Sequence, residues 1–358
     1  MSFKFFLRST LSVLFVAFAF TGCATHRLPP GSEQNRSDWM RGRWGVMTHY
    51  LADWQARDHH IQMTPEQWNR MVDNFDVEGL ADQIKSTGAS YHFLTVGQGS
   101  SYFVSPNAAW DKYLSRGTNK AAHRDLILDM AKAESKRGIR LIVYSTCHGP
   151  GDARSPQWNK ESTTRDHRNI EHMLAWEKVT REWSLRWGTN ISGWWFDGCY
   201  NPNQLFDFPD APNFQSFAAS ARAGNPNAVL AFNRGVLDRV ISITPFEDYS
   251  AGEINELQTT LIRRATPDGL VDGARIHKLS YLGQTWGTGQ PRYTNLDEVV
   301  IPWTLKIVDA GGAMTWDTPV GTNGLIADEY LAQLRAIGKA IAERPKTNAI
   351  AAKFGRGD

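Results

Sequence analysis

From Trp44 onward, hydrophobic positions along the chain follow two alternating rhythms. Short, nearly continuous apolar runs recur at 44–49 (WGVMTH), 91–96 (YHFLTV), 139–144 (IRLIVY), 192–196 (SGWWF), 228–232 (AVLAF), 240–244 (VISIT), 279–282 and 313–316 (AMTW). Runs of this length, rich in β-branched and aromatic residues, predict strands buried on both faces. Between them lie stripes at helical spacing: Val77, Leu80, Ala81 and Ile84; Leu126, Ile127, Met130 and Ala131; Ile170, Met173, Leu174 and Trp183; Phe214, Phe217, Ala218 and Ala221; and finally Leu331, Leu334, Ile337 and Ile341. Gly88 sits where a helix C-cap belongs. Eight strands separated by helices predict an α/β fold, a closed (β/α)8 TIM barrel forming one domain over residues 43–345. Residues 346–358 are a C-terminal tail, ending in the short polar Arg356-Gly357-Asp358, and no composition shift marks a second domain.

The first 42 residues obey neither rhythm. Lys4 and Arg8 precede an apolar stretch from Leu11 to Phe20, which is shorter than the roughly 20 residues a membrane-spanning helix needs. Residues 1–22 therefore read as an export signal. Phe20-Thr21-Gly22-Cys23 looks like a bacterial lipoprotein box, in which Cys23 becomes the lipid-modified N-terminus; an ordinary secretory signal with a chance cysteine is the alternative. Residues 23–42 then form a polar tether with two prolines. This reading places the protein at the bacterial cell envelope, held to a membrane by its anchor.

Composition narrows the function. Lys+Arg 39 against Asp+Glu 37 gives a net charge of +2 with no basic run, which excludes a nucleic-acid binder held by phosphate contacts. The 14 tryptophans exceed what one core requires. Indole faces serve as platforms for sugar rings, but they also fill large aromatic cores. No HxH, HExxH or paired-acid spacing suggests a metal, and no cofactor is implied. There is no GxSxG elbow, and Gly97-Gln98-Gly99 lacks the further glycine of a dinucleotide loop. Cys147 and Cys199 form no CxxC, and both follow predicted strands; a disulfide between them is compatible with export.

In such a barrel the chemistry gathers at the C-terminal strand ends. There lie His49, Tyr50 and Trp54; Gln98; Tyr144; Trp195 and Asp197; Asn233 and Arg234; Glu247, Asp248 and Glu253; Trp286; and Asp317. Asp197 follows three aromatics and precedes Gly198, a setting for a carboxylate that attacks or stabilises an anomeric carbon. Its structural alternatives are a helix cap or an ion pair with Arg234. A second carboxyl is needed as acid and base. Glu253, then Glu247, then Asp248 are the choices in order of preference, each also readable as a solvated loop acid. A retaining mechanism requires about 5–5.5 Å between the two carboxyls.

Taken in order, these segments resemble the alpha-L-fucosidase family of retaining glycoside hydrolases, from about residue 43 to residue 341. Arg43–Tyr50 resembles that family's opening strand, and Phe75-Asp76 with Gly88–Tyr91 its next unit. Leu94-Thr95 matches the start of its LTxKHHDGF motif, and Lys136–Ile139 its third strand unit. Trp195-Phe196-Asp197-Gly198 is similar to its nucleophile motif, Phe232-Asn233-Arg234 to its strand-five segment, Asp248-Tyr249 with Glu253 to its DYxTPE stretch, and Ser280–Gly287 to the segment ending in SWGY. The resemblance implies a sugar-cleaving enzyme with Asp197 as nucleophile and Glu253 as acid/base. His49, Tyr50, Trp54, Gln98, Tyr144, Trp195, Asn233, Arg234, Glu247 and Trp286 would bind a carbohydrate substrate, without metal or cofactor. Two departures stand out. HHDGF becomes Gln98–Phe103, which removes two histidines that would contact fucose, and His277 stands where the family often has Trp-Glu. They motivate a second reading, a carbohydrate-binding lipoprotein that has lost catalysis on the same barrel. A metal-dependent hydrolase is a third reading, but it lacks ligands.

Overall fold

Nine strands and ten α-helices organise the computed structural model, which describes residues 35–115, 117, 119–150, 166–257 and 265–344. The strands are β1 (Trp44–Thr48), β2 (Tyr91–Thr95), β3 (Arg140–Thr146), β4 (Gly193–Asp197), β5 (Val229–Phe232), β6 (Leu270–Val271), β7 (Ala274–Arg275), β8 (His277–Tyr281) and β9 (Ala313–Thr318). The helices are α1 (Ala52–Asp58), α2 (Pro65–Asp73), α3 (Val77–Thr87), α4 (Ala108–Tyr113), α5 (Leu126–Ser135), α6 (Ile170–Trp187), α7 (Pro202–Leu205), α8 (Phe214–Ala221), α9 (Val300–Asp309) and α10 (Asp328–Glu343). Residues 1–22, read from sequence as an export signal, Cys23 and the tail 346–358 lie outside the described residues.

Helix starts follow the local chemistry. Asp76, Asp125 and Asn169 each accept a backbone N–H in the first turn of α3, α5 and α6, and Asn213 with Ser216 forms a capping box on α8.

Seven strands form one curled parallel sheet in the order β5-β4-β3-β2-β1-β9-β8, and β6 and β7 make a separate small hairpin. The expected sixth strand at 240–244 does not form. Instead, the irregular segment 248–254 runs between the two sheet edges. Asp248 N–H donates to the Leu230 carbonyl of β5 at 2.9 Å, Ser250 N–H to the Arg275 carbonyl at 2.9 Å, and Ile254 N–H to the Leu279 carbonyl of β8 at 3.0 Å. Of the expected closed eight-strand barrel, the described residues form a seven-stranded half-barrel, and on its open side segment 248–254 makes only isolated bridges to Arg275 and Leu279 in place of a full strand.

Side chains alternate across every strand of the sheet. Met47, Tyr91, Phe93, Ile142, Tyr144, Trp195, Ala231 and Leu279 face inward as one buried cluster. Val46, Leu94, Leu141, Val143, Trp194, Phe196 and Leu230 face outward, into the larger core shared with the helices. Most of the tryptophans answer to that outer core. Trp44, Trp68, Trp176, Trp183, Trp187, Trp194 and Trp316 are fully buried there, with Trp183 and Trp187 stacked at 5.7 Å.

Residues 35–42, read from sequence as the end of a tether, belong to the folded unit. Met40 is completely buried against the inner cluster, Trp39 meets Tyr91 edge-on, and Asp38 pairs with buried Arg275 at 2.8 Å.

Candidate active site

Inward residues at or just past the C-terminal ends of β1, β3, β4 and β8, with loop residues between them, line one cavity of about 200 Å³, among them His49, Trp54, Gln98, Tyr144, Trp195, Asp197, Glu253 and Trp286. In β4, inward Trp195 is followed two residues later by inward Asp197, while Trp194 and Phe196 pack outward. Asp197 is not a helix cap. Its Oδ2 accepts the Tyr144 hydroxyl at 2.6 Å, and its Oδ1 accepts Nδ2 of Asn233 and the Gly198 N–H, each at 2.8 Å. Gln98 donates in turn to the Tyr144 oxygen, and Tyr144 stacks on Trp195 at 5.3 Å. Gly198 must be glycine on two counts: its φ is +82°, and a Cβ there would lie 2.6 Å from the His148 ring.

Glu253 approaches from the irregular segment. Its Oε2 accepts Nδ2 of Asn233 at 2.6 Å, the same nitrogen that reaches Asp197. One amide group thus spends its two hydrogens on two carboxylates. The two oxygens can be no farther apart than those two bonds laid end to end. Burial pushes the Glu253 carboxyl up to about 7, and the charge of Asp197 pushes in the same direction, against the Asn233 hydrogen bond and His49.

His49 forms the opposite wall. Its Nδ1 is 2.8 Å from Oδ1 of Asp317, whose Oδ2 accepts the Gly287 N–H at 2.6 Å. The ring stacks on Trp54 at 4.8 Å and meets Trp286 edge-on at 6.3 Å. Among the described residues, no cluster of three or more His, Cys, Asp or Glu has the arrangement to hold a metal ion.

Three residues expected in the site lie elsewhere. Tyr50 is one position past inward His49, so alternation turns it outward. It stacks on Trp68 and donates to the carbonyls of Met71 and Thr322. Arg234 is likewise one past Asn233 and stands exposed on the rim. Glu247 is buried away from the cavity, where Oε1 accepts the Phe232 N–H and Oε2 the Ser242 hydroxyl and the Ile243 N–H. Asp248, the third choice for acid, is bonded to Arg222 and the Leu230 N–H. His277, the residue at the Trp-Glu position, is buried inside the sheet against Phe93. Cys147 and Cys199 are buried free thiols.

Sequence reasoning missed several residues at the cavity. Arg57 stacks over Trp54 at 5.5 Å, and Thr285 and Thr288 line the wall. Tyr200 is 44% exposed, and the charges of Asp197 and Glu253 lie near enough to raise its pKa. Arg57 was legible in principle, since it lies one helical turn from Trp54. Thr285, Thr288 and Tyr200 sit on loops without periodicity.

The folds of solved structures give the same picture. An endo-fucoidan hydrolase of glycoside hydrolase family 107, studied as a variant, superposes with a TM-score of 0.67 at 23% identity over 88% of this chain and 55% of its own. A second endo-fucoidan hydrolase of that family gives 0.66 at 22% identity, over 88% of this chain and 65% of its own. Alpha-L-fucosidase isoenzyme 1 from Paenibacillus thiaminolyticus gives 0.57 at 18% identity, over 86% and 75%. The chain therefore spans less than two thirds of the length of these two fucoidan hydrolases, and at such identities the likeness concerns the fold alone. No curated protein sequence matches the chain. The sequence profile described as alpha-L-fucosidase, by contrast, matches residues 19–344, nearly the whole of it, and the chain belongs to the alpha-L-fucosidase family.

Proposed function

We propose that the protein hydrolyses a terminal fucose or a closely related sugar from a glycan, with retention of configuration. The observation that supports this reading is the Asn233 bridge, which keeps two carboxyls within two hydrogen bonds of each other beside an aromatic cavity, the kind of close pair a retaining mechanism uses.

Asp197 is the nucleophile. The Tyr144, Asn233 and Gly198 donors orient it toward the anomeric carbon. Glu253 is the acid/base. Its Oε2 is occupied by Asn233, so the proton resides on Oε1 and passes from there to the leaving oxygen. Once Asp197 is esterified its charge is gone, and the Glu253 pKa falls. Glu253 then serves as the base that activates water against the glycosyl-enzyme. Trp54, Trp195 and Trp286 supply ring faces, and His49 and Gln98 supply polar contacts to hydroxyls. The 248–254 segment stands in for the missing strand of an eight-stranded barrel. Cys23 is the lipid anchor in this reading, and a Cys23→Ser variant that still incorporates labelled palmitate would remove that part of it.

The test is a screen against aryl α-L-fucosides, galactosides, arabinosides and xylosides with Asp197→Asn alongside. Release from one sugar that vanishes in the variant establishes the hydrolase. Wild-type turnover by the variant refutes the assignment of Asp197, and glycan binding without any turnover favours the non-catalytic lipoprotein.

A further inference from the structure

Asp317 has no step in the proposed chemistry, yet it is completely buried and both of its carboxyl oxygens are engaged by residues at the cavity. It stands in β9 opposite Met47 of β1, two positions before His49. Its Oδ1 meets Nδ1 of His49 at 2.8 Å, and its Oδ2 accepts the Gly287 N–H at 2.6 Å. Gly287 is packed as closely as it is bonded. Its φ is +59°, and a Cβ there would lie 2.6 Å from the Trp54 ring and 2.9 Å from Cβ of His49. One buried side chain thus ties the imidazole of β1 to the loop residue that follows Trp286.

A carboxylate only accepts hydrogen bonds, so the ring nitrogen that meets it carries the hydrogen. In a neutral imidazole the other nitrogen is then a bare acceptor. His49 lines the cavity, and no hydrogen bond from the described residues reaches its Nε2. A sugar hydroxyl is a donor that such a nitrogen can take. We propose that Asp317 is a positioning residue that acts through His49: its carboxylate fixes the ring tautomer, so that Nε2 accepts a hydrogen bond from a hydroxyl of the bound sugar. The kinetic part of this inference rests on the proposed hydrolysis; the tautomer does not.

The substitution Asp317→Asn changes the tautomer by a forced route. The Gly287 backbone N–H can only donate, so the single oxygen of the amide stays with Gly287. The NH2 group then faces Nδ1 of His49, which has to become the acceptor, and the ring hydrogen moves to Nε2. The pocket would then offer a donor where it had offered an acceptor, with its shape and its loop unchanged.

The experiment has two arms. Nitrogen NMR of protein labelled with 15N-histidine is recorded at about pH 8, above the ordinary histidine pKa of about 6.5. The His49 signals are identified by their loss in His49→Phe. Hydrogen on Nδ1 with a bare Nε2 in wild type, reversed in Asp317→Asn, supports the proposal. Hydrogen on Nε2 in wild type, on either one nitrogen or both, overturns it. The second arm measures kcat/KM for p-nitrophenyl α-L-fucoside with Asp317→Asn in the wild-type and His49→Phe backgrounds. A loss of about tenfold or more in the first and less than about twofold in the second shows that Asp317 acts through His49. Equal losses in the two backgrounds overturn that, because a merely structural role would not depend on the imidazole. If Asp317→Asn does not fold, as read by thermal unfolding, the wild-type spectrum decides the tautomer. If no fucoside is cleaved by wild type, the proposed hydrolysis fails, and the spectra decide the role of Asp317 alone.

Discussion

Asp197 and Glu253 are joined through a single nitrogen, Nδ2 of Asn233, at 2.8 Å from one and 2.6 Å from the other. In the proposed mechanism the bridge limits the distance between the carboxyls and leaves the other oxygen of Glu253 to carry the proton. Replacing Asn233 by Ala removes two charge-assisted hydrogen bonds, each worth about 1.5–3 kcal/mol. We expect kcat to fall roughly 10–100-fold. The Asn233 bond also holds the Glu253 pKa down, so the alkaline limb of the rate profile should move upward from about 7. A pH–rate profile of Asn233→Ala with an unmoved alkaline limb would contradict this role.

Glu253→Ala separates the two catalytic steps. With a glycan, whose leaving oxygen needs a proton, the rate should drop by about 10²–10⁴-fold. With an activated aryl fucoside the first step needs less acid, so the loss should be smaller, and azide should restore turnover because it attacks without a base. Equal losses on both substrates, with no azide effect, would move the acid/base role to another residue.

Glu247 predicts a pH dependence of stability. Burial raises its carboxyl to about 7 despite three hydrogen bonds to its oxygens. Between about 4.5 and 7 the folded chain holds a proton there that the unfolded chain has released, so this group's contribution declines as pH rises through that window. Glu247→Gln removes the titration while losing an acceptor. The variant should therefore melt below wild type at pH 5, and the gap should narrow by pH 8. A gap independent of pH, read by calorimetry, would rule out the raised carboxyl.

Tyr50 separates stability from catalysis. Tyr50→Phe strips a donor from the Met71 and Thr322 carbonyls, which should cost about 1–2 kcal/mol of unfolding free energy. kcat and KM should stay within about twofold, because the ring faces away from the cavity. A large rise in KM without loss of stability would return Tyr50 to the sugar site.

Much of this arrangement was legible along the chain. The run of strands from Trp44 to Trp316, the caps of α3 and α5, and the position of Asp197 at the end of β4 all depend on local rules of periodicity and hydrogen bonding. Strict alternation would also have sorted His49 from Tyr50 and Asn233 from Arg234, since neighbours on a strand face opposite sides.

Other features were decided only in three dimensions. The run at 240–244 has the composition of a strand, yet the neighbouring 248–254 segment takes the gap between β5 and β8. There, backbone groups find partners on both edges, and Glu247 and Asp248 seal the loop through buried hydrogen bonds. The choice among three nearby acids followed from that path, because only Glu253 emerges beside Asn233. Composition counted the tryptophans but left open whether they packed the core or faced the sugar. The sequence by itself determined an alternating α/β chain with Asp197 at a strand end. Tertiary structure determined its partner and the bridge between them, because a contact between residues 20 or 36 positions apart depends on how the sheet curls and not on any local pattern.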